Sequence, residues 1–216
     1  MVVKLYKVDS SPVVRACMMA CDLLNVPVEM VEVNLFQGEQ MKPEFLKKNP
    51  LHAVPVLEDG DLCIHDSHAI LMYLADVYDK KSTLYPKDVK QRALVNQKLF
   101  FSNSIIYQRL RDISGPLIFE QIKPSEKQFK ALDEAYGFLE EFLSRTKYLA
   151  SNSMTIADIA AYTSASSLGF LLEVDEKKYP KLQAWLNVMK QMPSAKKWNA
   201  PGLSEYEGFM KKLLAA

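Results

Sequence analysis

The amino-acid sequence predicts a fold in two parts, a small α/β domain followed by an all-helical domain. In the first 80 residues, short apolar runs alternate with segments whose apolar residues recur at helical spacing. A polar segment at 79–88 follows, and beyond it only the helical spacing persists. We therefore predict an α/β domain at 1–80, a linker at 81–88 and an all-helical domain at 89–216.

The α/β part is predicted to have the element order βαβαββα. The apolar patterns predict strands at 2–6, 28–33, 54–58 and 62–65, and helices at 12–24, 42–48 and 67–78. Asp59-Gly60-Asp61, between the last two strands, is typical of a hairpin turn. Because strand–helix–strand crossovers are right-handed, we expect the first two strands to be parallel and the hairpin to extend them in antiparallel fashion.

The all-helical part is predicted to contain five helices. Apolar spacing places them at roughly 89–119, 125–144, 155–172, 180–190 and 206–214. Two of them begin with a capping-box pattern, Ser125 with Gln128 and Thr155 with Asp158, in which each side chain satisfies the other residue's free amide. We assign Thr155 and Asp158 to folding and not to catalysis.

Composition and charge exclude several classes of protein. The 216 residues are 49% hydrophobic and 25% charged, as in ordinary globular proteins and unlike disordered chains. No apolar run approaches the ~20 residues of a membrane span, and no basic-then-apolar leader opens the sequence, so we expect a cytoplasmic protein without a membrane partner. Three cysteines, Cys17, Cys21 and Cys63, are too few for a disulfide framework, and we expect them to be small buried hydrophobes.

The net charge of +1 conceals a difference between the two parts. Residues 1–80 carry 7 basic and 12 acidic side chains, whereas residues 81–216 carry 20 basic and 14 acidic ones. The basic residues alternate with acids along the helices, which argues against a nucleic-acid partner. The opposite signs suggest two modules that attract each other, within one chain or between chains.

The turn between the first strand and the first helix is a candidate anion site. Proline is favoured at the first position of a helix, so Pro12 makes Ser11 the N-cap. A hydroxyl at this place sits among free amides at the positive end of the helix dipole. Two interpretations fit Ser11 at this point: a structural cap alone, or a group that contacts an anionic ligand.

Two further features converge on the same edge of the predicted sheet. Val54-Pro55 precedes a strand and is a candidate for a cis peptide bond, which would bring the backbone of Val54 to the rim of the cleft. Asp66-Ser67 opens the third helix and offers a carboxylate and a hydroxyl beside another helix N-terminus. Open α/β sheets bind ligands at the carboxyl ends of their strands, so we predict the ligand site here.

The sequence resembles the cytosolic glutathione transferases over essentially its whole length, most closely the insect delta/epsilon group. The segments that carry the resemblance are SSPVVRA at 10–16, NLFQGEQMKPEFLKKNP at 34–50, HAVPVLEDGD at 52–61, DSHAILMYL at 66–74 and TIADIAAY at 155–162. The resemblance implies a thioredoxin-like first domain, glutathione as cosubstrate with no metal, a homodimer, and detoxification by joining glutathione to hydrophobic electrophiles.

The resemblance also implies roles for individual residues. Ser11 would be the catalytic hydroxyl that hydrogen-bonds the glutathione sulfur and stabilises its thiolate. The remaining glutathione contacts would be the backbone of Val54 with Pro55, Asp66 and Ser67 at the γ-glutamyl end, and His52 at the glycyl end, where His68 would assist or face solvent. Two positions depart from the family pattern: Asp66 replaces a more usual Glu, and Gln40 stands where relatives often carry histidine.

A stripe on the long predicted helix is expected to face the electrophile. Tyr107, Leu110, Arg111, Ser114 and Ile118 recur at spacings that place them on one helix face. Such a stripe is usually core, but its polar members would then need partners. The resemblance places this face over the thiolate, with further walls formed by Pro12, Leu35, Phe119 and Phe209.

Three other interpretations remain open from the sequence. A metal site would use Cys17 and Cys21, or the histidines at 52, 65 and 68, but the ligand spacing is incomplete in both cases. A glutaredoxin-like exchange would need a low-pKa cysteine at the helix start, where the sequence has serine. A third possibility is a non-catalytic module of the same fold that binds glutathione or hydrophobic ligands.

Overall fold

The computed structural model describes residues 2–215. The N-terminal part contains four strands and three α-helices in the predicted order. The strands are β1 (Val3–Lys7), β2 (Val28–Glu32), β3 (Val56–Asp59) and β4 (Leu62–His65). The helices are α1 (Pro12–Leu23), α2 (Pro43–Leu46) and α3 (Ser67–Tyr78), with a 3-10 turn at Glu39–Met41 before α2.

The four strands form one mixed sheet in the order β2-β1-β3-β4. Strand β1 runs parallel to β2, with Val3 opposite Val28, and antiparallel to β3, with Leu5 opposite Leu57. β3 and β4 form an antiparallel hairpin. The predicted parallel pair extended by a hairpin is therefore confirmed.

The C-terminal part is helical throughout. Its α-helices are α4 (Val89–Phe101), α5 (Gln108–Glu120), α6 (Glu126–Arg145), α7 (Ile156–Leu171), α8 (Pro180–Lys190) and α9 (Ala200–Ala215). A π-helical segment, Ser102–Tyr107, joins α4 to α5, so the helix predicted at 89–119 is continuous but locally widened.

The last helix begins earlier than the sequence pattern predicted. A second π-helical segment, Ala195–Asn199, leads directly into α9 at Ala200, whereas the pattern placed the start near residue 206. Pro201 and Gly202 obscured this start because both residues usually interrupt helices. Pro201 has no N–H to donate to the preceding turn, and that turn is the widened π-helical segment.

The buried residues form one large cluster that extends through both parts of the chain. Helix α1 lies at its centre, in contact with α3 on one side and α7 on the other. Cys17 and Cys21 are buried in α1 as expected, but Cys63 is exposed, so the expectation of three buried cysteines is wrong. Cys63 lies on β4, an edge strand of the sheet. Within residues 2–215, no helix has both the length and the apolar character needed to cross a membrane.

Candidate functional site

Ser11 occupies the N-cap position of α1 but does not act as a side-chain cap. Its backbone is extended, with φ −76° and ψ 120°, Pro12 follows at the start of the helix, and the Ser11 side chain makes no capping hydrogen bond. The Ser11 backbone N–H donates to the carbonyl of Val8 at 3.1 Å, which closes the turn. Ser11 is half-buried and lies at the positive end of the helix. Because its hydroxyl makes no capping hydrogen bond there, the hydroxyl is free to donate to a ligand.

The loop before β3 carries the second predicted element of the site. The Val54-Pro55 peptide bond is cis, as the sequence suggested. Asn49 is buried and organises this loop, because its amide donates to the carbonyl of Ala53 at 2.8 Å and its side-chain oxygen accepts from the N–H of Leu51 at 2.9 Å. His52 is exposed and adopts a left-handed conformation with φ 45°. The sequence pattern identified Asn49 only as a helix stop.

Asp66 and Ser67 open α3 as predicted. Asp66 has a positive φ of 73°, and its Oδ1 accepts hydrogen bonds from the backbone N–H groups of His68 at 2.8 Å and Ala69 at 3.2 Å. The Asp66 side chain stays half exposed while its Oδ1 caps the helix. Ser67 is buried, and its Oγ lies 3.2 Å from Nδ1 of His68.

Of the two alternatives for His68, contact with solvent does not fit the structure. The ring is buried at the start of α3, with its Nε2 enclosed and without a hydrogen-bond partner in the described chain. Burial lowers the pKa of His68, and the nearby Asp66 carboxylate opposes that effect. His68 is therefore placed as a neutral ring behind Ser67.

Because His68 is buried in its neutral form, we expect the protein to lose stability in mild acid. In the unfolded chain its pKa is about 6.5, whereas the folded protein binds that proton only at lower pH. Neutral His68 therefore makes its full contribution to folding stability above about pH 6.5. The stability declines as the pH falls from there through the lowered pKa of His68 in the folded protein. In urea unfolding between pH 5 and 8, His68→Gln should show a smaller acid-side decline than wild type. Equal declines in the two proteins would contradict this expectation.

Helices α5 and α9 contact each other, and α9 also contacts α1. Ser114 Oγ on α5 lies 2.9 Å from the phenolic oxygen of Tyr206 on α9. Burial raises the pKa of Tyr206 to about 12. The ring of Phe36, in the loop after β2, meets the ring of Phe209 on α9 at a centroid distance of 5.5 Å. The Phe36–Phe209 contact therefore joins the two parts of the chain, and the Ser114–Tyr206 contact joins two helices of the second part.

The predicted stripe on α5 is not uniform. Tyr107, Ser114 and Ile118 are half-buried, whereas Leu110 is only 2% exposed and belongs to the core. Arg111 is exposed, and Phe119 is 80% exposed. Of the other predicted walls, Pro12 is buried at the start of α1, and Leu35 packs against a small second core of Val33, Phe45 and Val56.

The arrangement of cysteines and histidines supports neither a metal site nor a glutaredoxin-like exchange. Cys17 is fully buried, its Sγ lies 3.7 Å from the carbonyl of Ser67, and burial raises the pKa of its thiol well above the ordinary value. A low-pKa exchange cysteine is thus not found at the start of α1. Among residues 2–215, no group of three or more His, Cys, Asp or Glu side chains is placed to hold a metal ion.

Comparison with known proteins identifies the family. A family model described as the glutathione S-transferase N-terminal domain matches residues 5–82, and one described as the C-terminal domain matches residues 107–193. The curated glutathione S-transferase 1 of Manduca sexta is 42% identical over 207 residues, which are 94% of each chain. The chain belongs to the glutathione S-transferase family.

Solved structures of glutathione S-transferases superpose closely on this chain. An epsilon-class enzyme from the housefly, Musca domestica, has a TM-score of 0.95 and 42% identity, with 98% of each chain covered. A glutathione transferase homologue from Drosophila mojavensis, solved with bound glutathione, has a TM-score of 0.95 and 39% identity, covering 98% of this chain and 97% of that one. The thioredoxin-like domain followed by a helical domain is thereby confirmed.

Three contacts of this glutathione S-transferase were not predicted from its sequence. Phe36 lies within a segment that carried the resemblance, but only the contact with Phe209 shows that it adjoins the cleft. Tyr206 was assigned only to the tail helix, although it pairs with Ser114. Gln40, where the family often has histidine, donates from Nε2 to the carbonyl of Leu35 at 3.2 Å, which directs its amide nitrogen into its own loop.

Proposed function

We propose that this chain binds glutathione, stabilises its thiolate with the Ser11 hydroxyl and transfers it to hydrophobic electrophiles. The observation that carries the proposal is the hydroxyl of Ser11, which sits at the N-cap of α1 and makes no capping hydrogen bond. A hydroxyl left unused at the positive end of a helix is suited to donate to an anion. Family membership supports glutathione as the source of that anion.

The chemistry would begin with ionisation of the glutathione thiol. A free thiol has a pKa near 8.5 and is mostly protonated at neutral pH. A hydrogen bond from Ser11 and the dipole of α1 both favour the thiolate, so the proton is released to solvent more readily. The thiolate then attacks an electrophilic carbon, a carbon–sulfur bond forms, and a leaving group such as chloride departs with its electron pair. Ser11 stabilises charge and is not itself a nucleophile.

The rest of the glutathione molecule would lie along the features already described. The backbone of Val54, which precedes the cis bond to Pro55, would pair with the cysteinyl residue. The half-exposed carboxylate of Asp66 would bind the γ-amine, and the start of α3 at Ser67 would bind the adjacent carboxylate. His52, which is exposed on its loop, would lie near the glycyl end.

The electrophile would enter between α5, α9 and the loop that carries Phe36. The structure supports a wall of Tyr107, Ser114, Ile118 and Phe209 more directly than one including Leu110, which is in the core. The hydrogen-bonded hydroxyl groups of Ser114 and Tyr206 add a polar site to this wall. We therefore propose that the pocket accepts apolar electrophiles that carry one hydrogen-bonding group, such as a nitro group.

Calorimetric titration with glutathione, followed by a conjugation assay with 1-chloro-2,4-dinitrobenzene, tests the proposal. Binding together with conjugation supports the enzyme. Binding without conjugation, across a panel of aryl halides and alkyl halides, supports the non-catalytic binding module instead. Failure to bind glutathione overturns the enzyme and the glutathione-binding module, and leaves only a module for hydrophobic ligands.

Asp66→Asn isolates the role of the Asp66 charge. Asparagine caps helices as well as aspartate does, so the start of α3 should be preserved. Loss of the carboxylate removes a charge-assisted bond to the γ-amine, and we expect the Kd for glutathione to rise by about tenfold, corresponding to roughly 1.4 kcal/mol. Calorimetry measures the change, and a thermal melt checks that the fold is intact. An unchanged Kd would remove Asp66 from the proposed site.

We also propose that two chains associate, with the first domain of one chain against the second domain of the other. Large apolar side chains are exposed at Leu51, before β3, and at Val89, Leu94 and Phe100 on α4. The acidic excess of residues 1–80 and the basic excess of residues 81–216 favour this pairing. The domain boundaries and the cytoplasmic location remain predictions from the sequence.

A further inference from the structure

One face of α9 contacts three segments around the proposed site. Gly202, Tyr206 and Phe209 are spaced by four and three residues, so they share a helix face. Gly202 lies against Asp9, Tyr206 pairs with Ser114, and Phe209 contacts Phe36. The last helix therefore joins the turn before α1, the wall on α5 and the loop after β2.

The contact at Gly202 is backbone against backbone. A Cβ atom added to Gly202 would lie 2.1 Å from the carbonyl oxygen of Asp9 and 2.8 Å from Cδ of Arg15. The first distance is far too short for real atoms and involves backbone, so a larger residue fits only if the turn or the helix moves. Asp9 precedes Ser11 by two residues, and the N–H of Ser11 closes that same turn. The position of α9 thus fixes the position of the Ser11 turn.

Arg15, which follows this turn, is hydrogen-bonded to the helical domain. Its side chain is 0% exposed, and its guanidinium donates to Ser167 Oγ on α7 at 2.6 Å and to Asn199 Oδ1 at 3.0 Å. The backbone N–H of Arg15 donates to the carbonyl of Ser11 at 3.0 Å. A residue one turn into α1 is therefore hydrogen-bonded to Ser11 at one end and to the helical domain at the other.

We propose that Gly202 and Arg15 are positioning residues, which hold the Ser11 hydroxyl at the place where the glutathione sulfur ionises. The inference rests on the proposed role of Ser11. A hydrogen bond weakens steeply when its angle or length departs from the optimum, so a small shift of the turn reduces thiolate stabilisation. The tripeptide contacts at Val54 and Asp66 belong to other loops, so binding of glutathione should depend on α9 much less than ionisation does.

Gly202→Ala tests the inference, with Gly208→Ala as the matched control. Gly208 lies on the same helix, and an added Cβ there would meet no atom within 4 Å. In Gly202→Ala we expect kcat/KM at pH 7 to fall by about tenfold or more, and the apparent pKa of the bound thiol, from the pH–rate profile, to rise. The KM for glutathione should change by less than about threefold. Near pH 9, where the thiol ionises unaided, most of the rate should return. Gly208→Ala should match wild type throughout.

A second pair of variants decides the matter if Gly202→Ala does not fold. Ser167→Ala removes one acceptor of the Arg15 guanidinium without introducing a clash. Ser164→Ala, on the same helix, removes a buried hydroxyl that has no hydrogen-bond partner among the described residues. We expect Ser167→Ala to shift the pH–rate profile in the same direction as Gly202→Ala but less, and Ser164→Ala to leave the profile unchanged.

The outcomes separate this inference from the proposed function. If Ser11→Ala raises the apparent thiol pKa but folded Gly202→Ala and Ser167→Ala keep the wild-type profile, the positioning role is wrong and the role of Ser11 stands. If Ser11→Ala also keeps the wild-type profile, the proposed function itself fails. A loss of rate that is equal at pH 7 and pH 9 would indicate general distortion and would likewise overturn the positioning role.

Discussion

Replacing Ser11 by alanine is expected to lower kcat/KM for conjugation of 1-chloro-2,4-dinitrobenzene by about 20-fold at pH 7, because the bound thiol loses a hydrogen-bond donor to its thiolate and ionises less. The hydroxyl is half-buried at the N-cap of α1 and makes no capping hydrogen bond, so its removal should take little from the fold. The loss should therefore appear in thiol ionisation, as a higher apparent pKa in the pH–rate profile.

The expected size follows from the energetics of thiol ionisation. Each unit by which the pKa is lowered corresponds to about 1.36 kcal/mol of preferential interaction with the thiolate. A shift of roughly two units corresponds to about 2.7 kcal/mol, within reach of one charge-assisted hydrogen bond. Because the thiol of the wild-type complex would then be mostly ionised at pH 7 and that of the variant only about 3% ionised, the expected loss is about 20-fold. Above the thiol's own pKa the advantage of the hydroxyl fades, so the variant should approach wild type near pH 9.

Ser10→Ala is the matched control for this prediction. Ser10 immediately precedes Ser11 in the same turn and is also half-buried, but it is not the N-cap residue of α1. We expect Ser10→Ala to change kcat/KM by less than about threefold and to leave the pH–rate profile in place. Should Ser10→Ala give the larger shift, the sulfur would lie beside the other hydroxyl, and the assignment of Ser11 would be wrong.

The local elements of the fold could be predicted because their signals lie in neighbouring residues. Pro12 after Ser11 gives the start of α1, and Asp59-Gly60-Asp61 gives the hairpin between β3 and β4. Thr155 with Asp158 gives the start of α7. The early start of α9 could not be predicted from such signals, because Pro201 and Gly202 resemble a break in a helix when their neighbours in space are unknown.

The cleft was only partly predictable for a related reason. A helix stripe shows which residues share a face, but not which of them another helix covers, so Leu110 and Arg111 were grouped although one is buried and the other exposed. The contacts of Phe36 with Phe209 and of Ser114 with Tyr206 join residues far apart in the chain. Gly202 carries no side chain, so its importance depends entirely on the Asp9 carbonyl that it meets.

We expect replacement of Asp158 to lower the free energy of unfolding more than replacement of any other residue discussed above. Its carboxylate is 0% exposed, and Oδ2 accepts from the backbone N–H of Thr155 at 2.9 Å and from the Thr155 hydroxyl at 3.0 Å. Its Oδ1 accepts from the N–H of Leu149 at 2.9 Å and from the indole N–H of Trp185 at 3.2 Å. One side chain thus joins the start of α7 to the preceding loop and to α8.

Asp158→Ala is expected to reduce the free energy of unfolding by about 3–5 kcal/mol, because each buried donor left without an acceptor costs about 1–3 kcal/mol. That exceeds the ~1–2 kcal/mol expected for an ordinary capping residue. Equilibrium urea unfolding followed by tryptophan fluorescence measures the loss, and Trp185 reports on the same contact.

Ser125→Ala provides the comparison, because Ser125 and Gln128 form a capping box of the same type at an exposed helix start. Water can replace the lost partner there, so we expect a loss of only about 1 kcal/mol. Equal losses in Ser125→Ala and Asp158→Ala would mean that Asp158 acts only as a cap. A larger loss in Asp158→Ala would show that the buried contacts to Leu149 and Trp185 hold the helical domain together, and with it the α7 surface to which Arg15 is hydrogen-bonded.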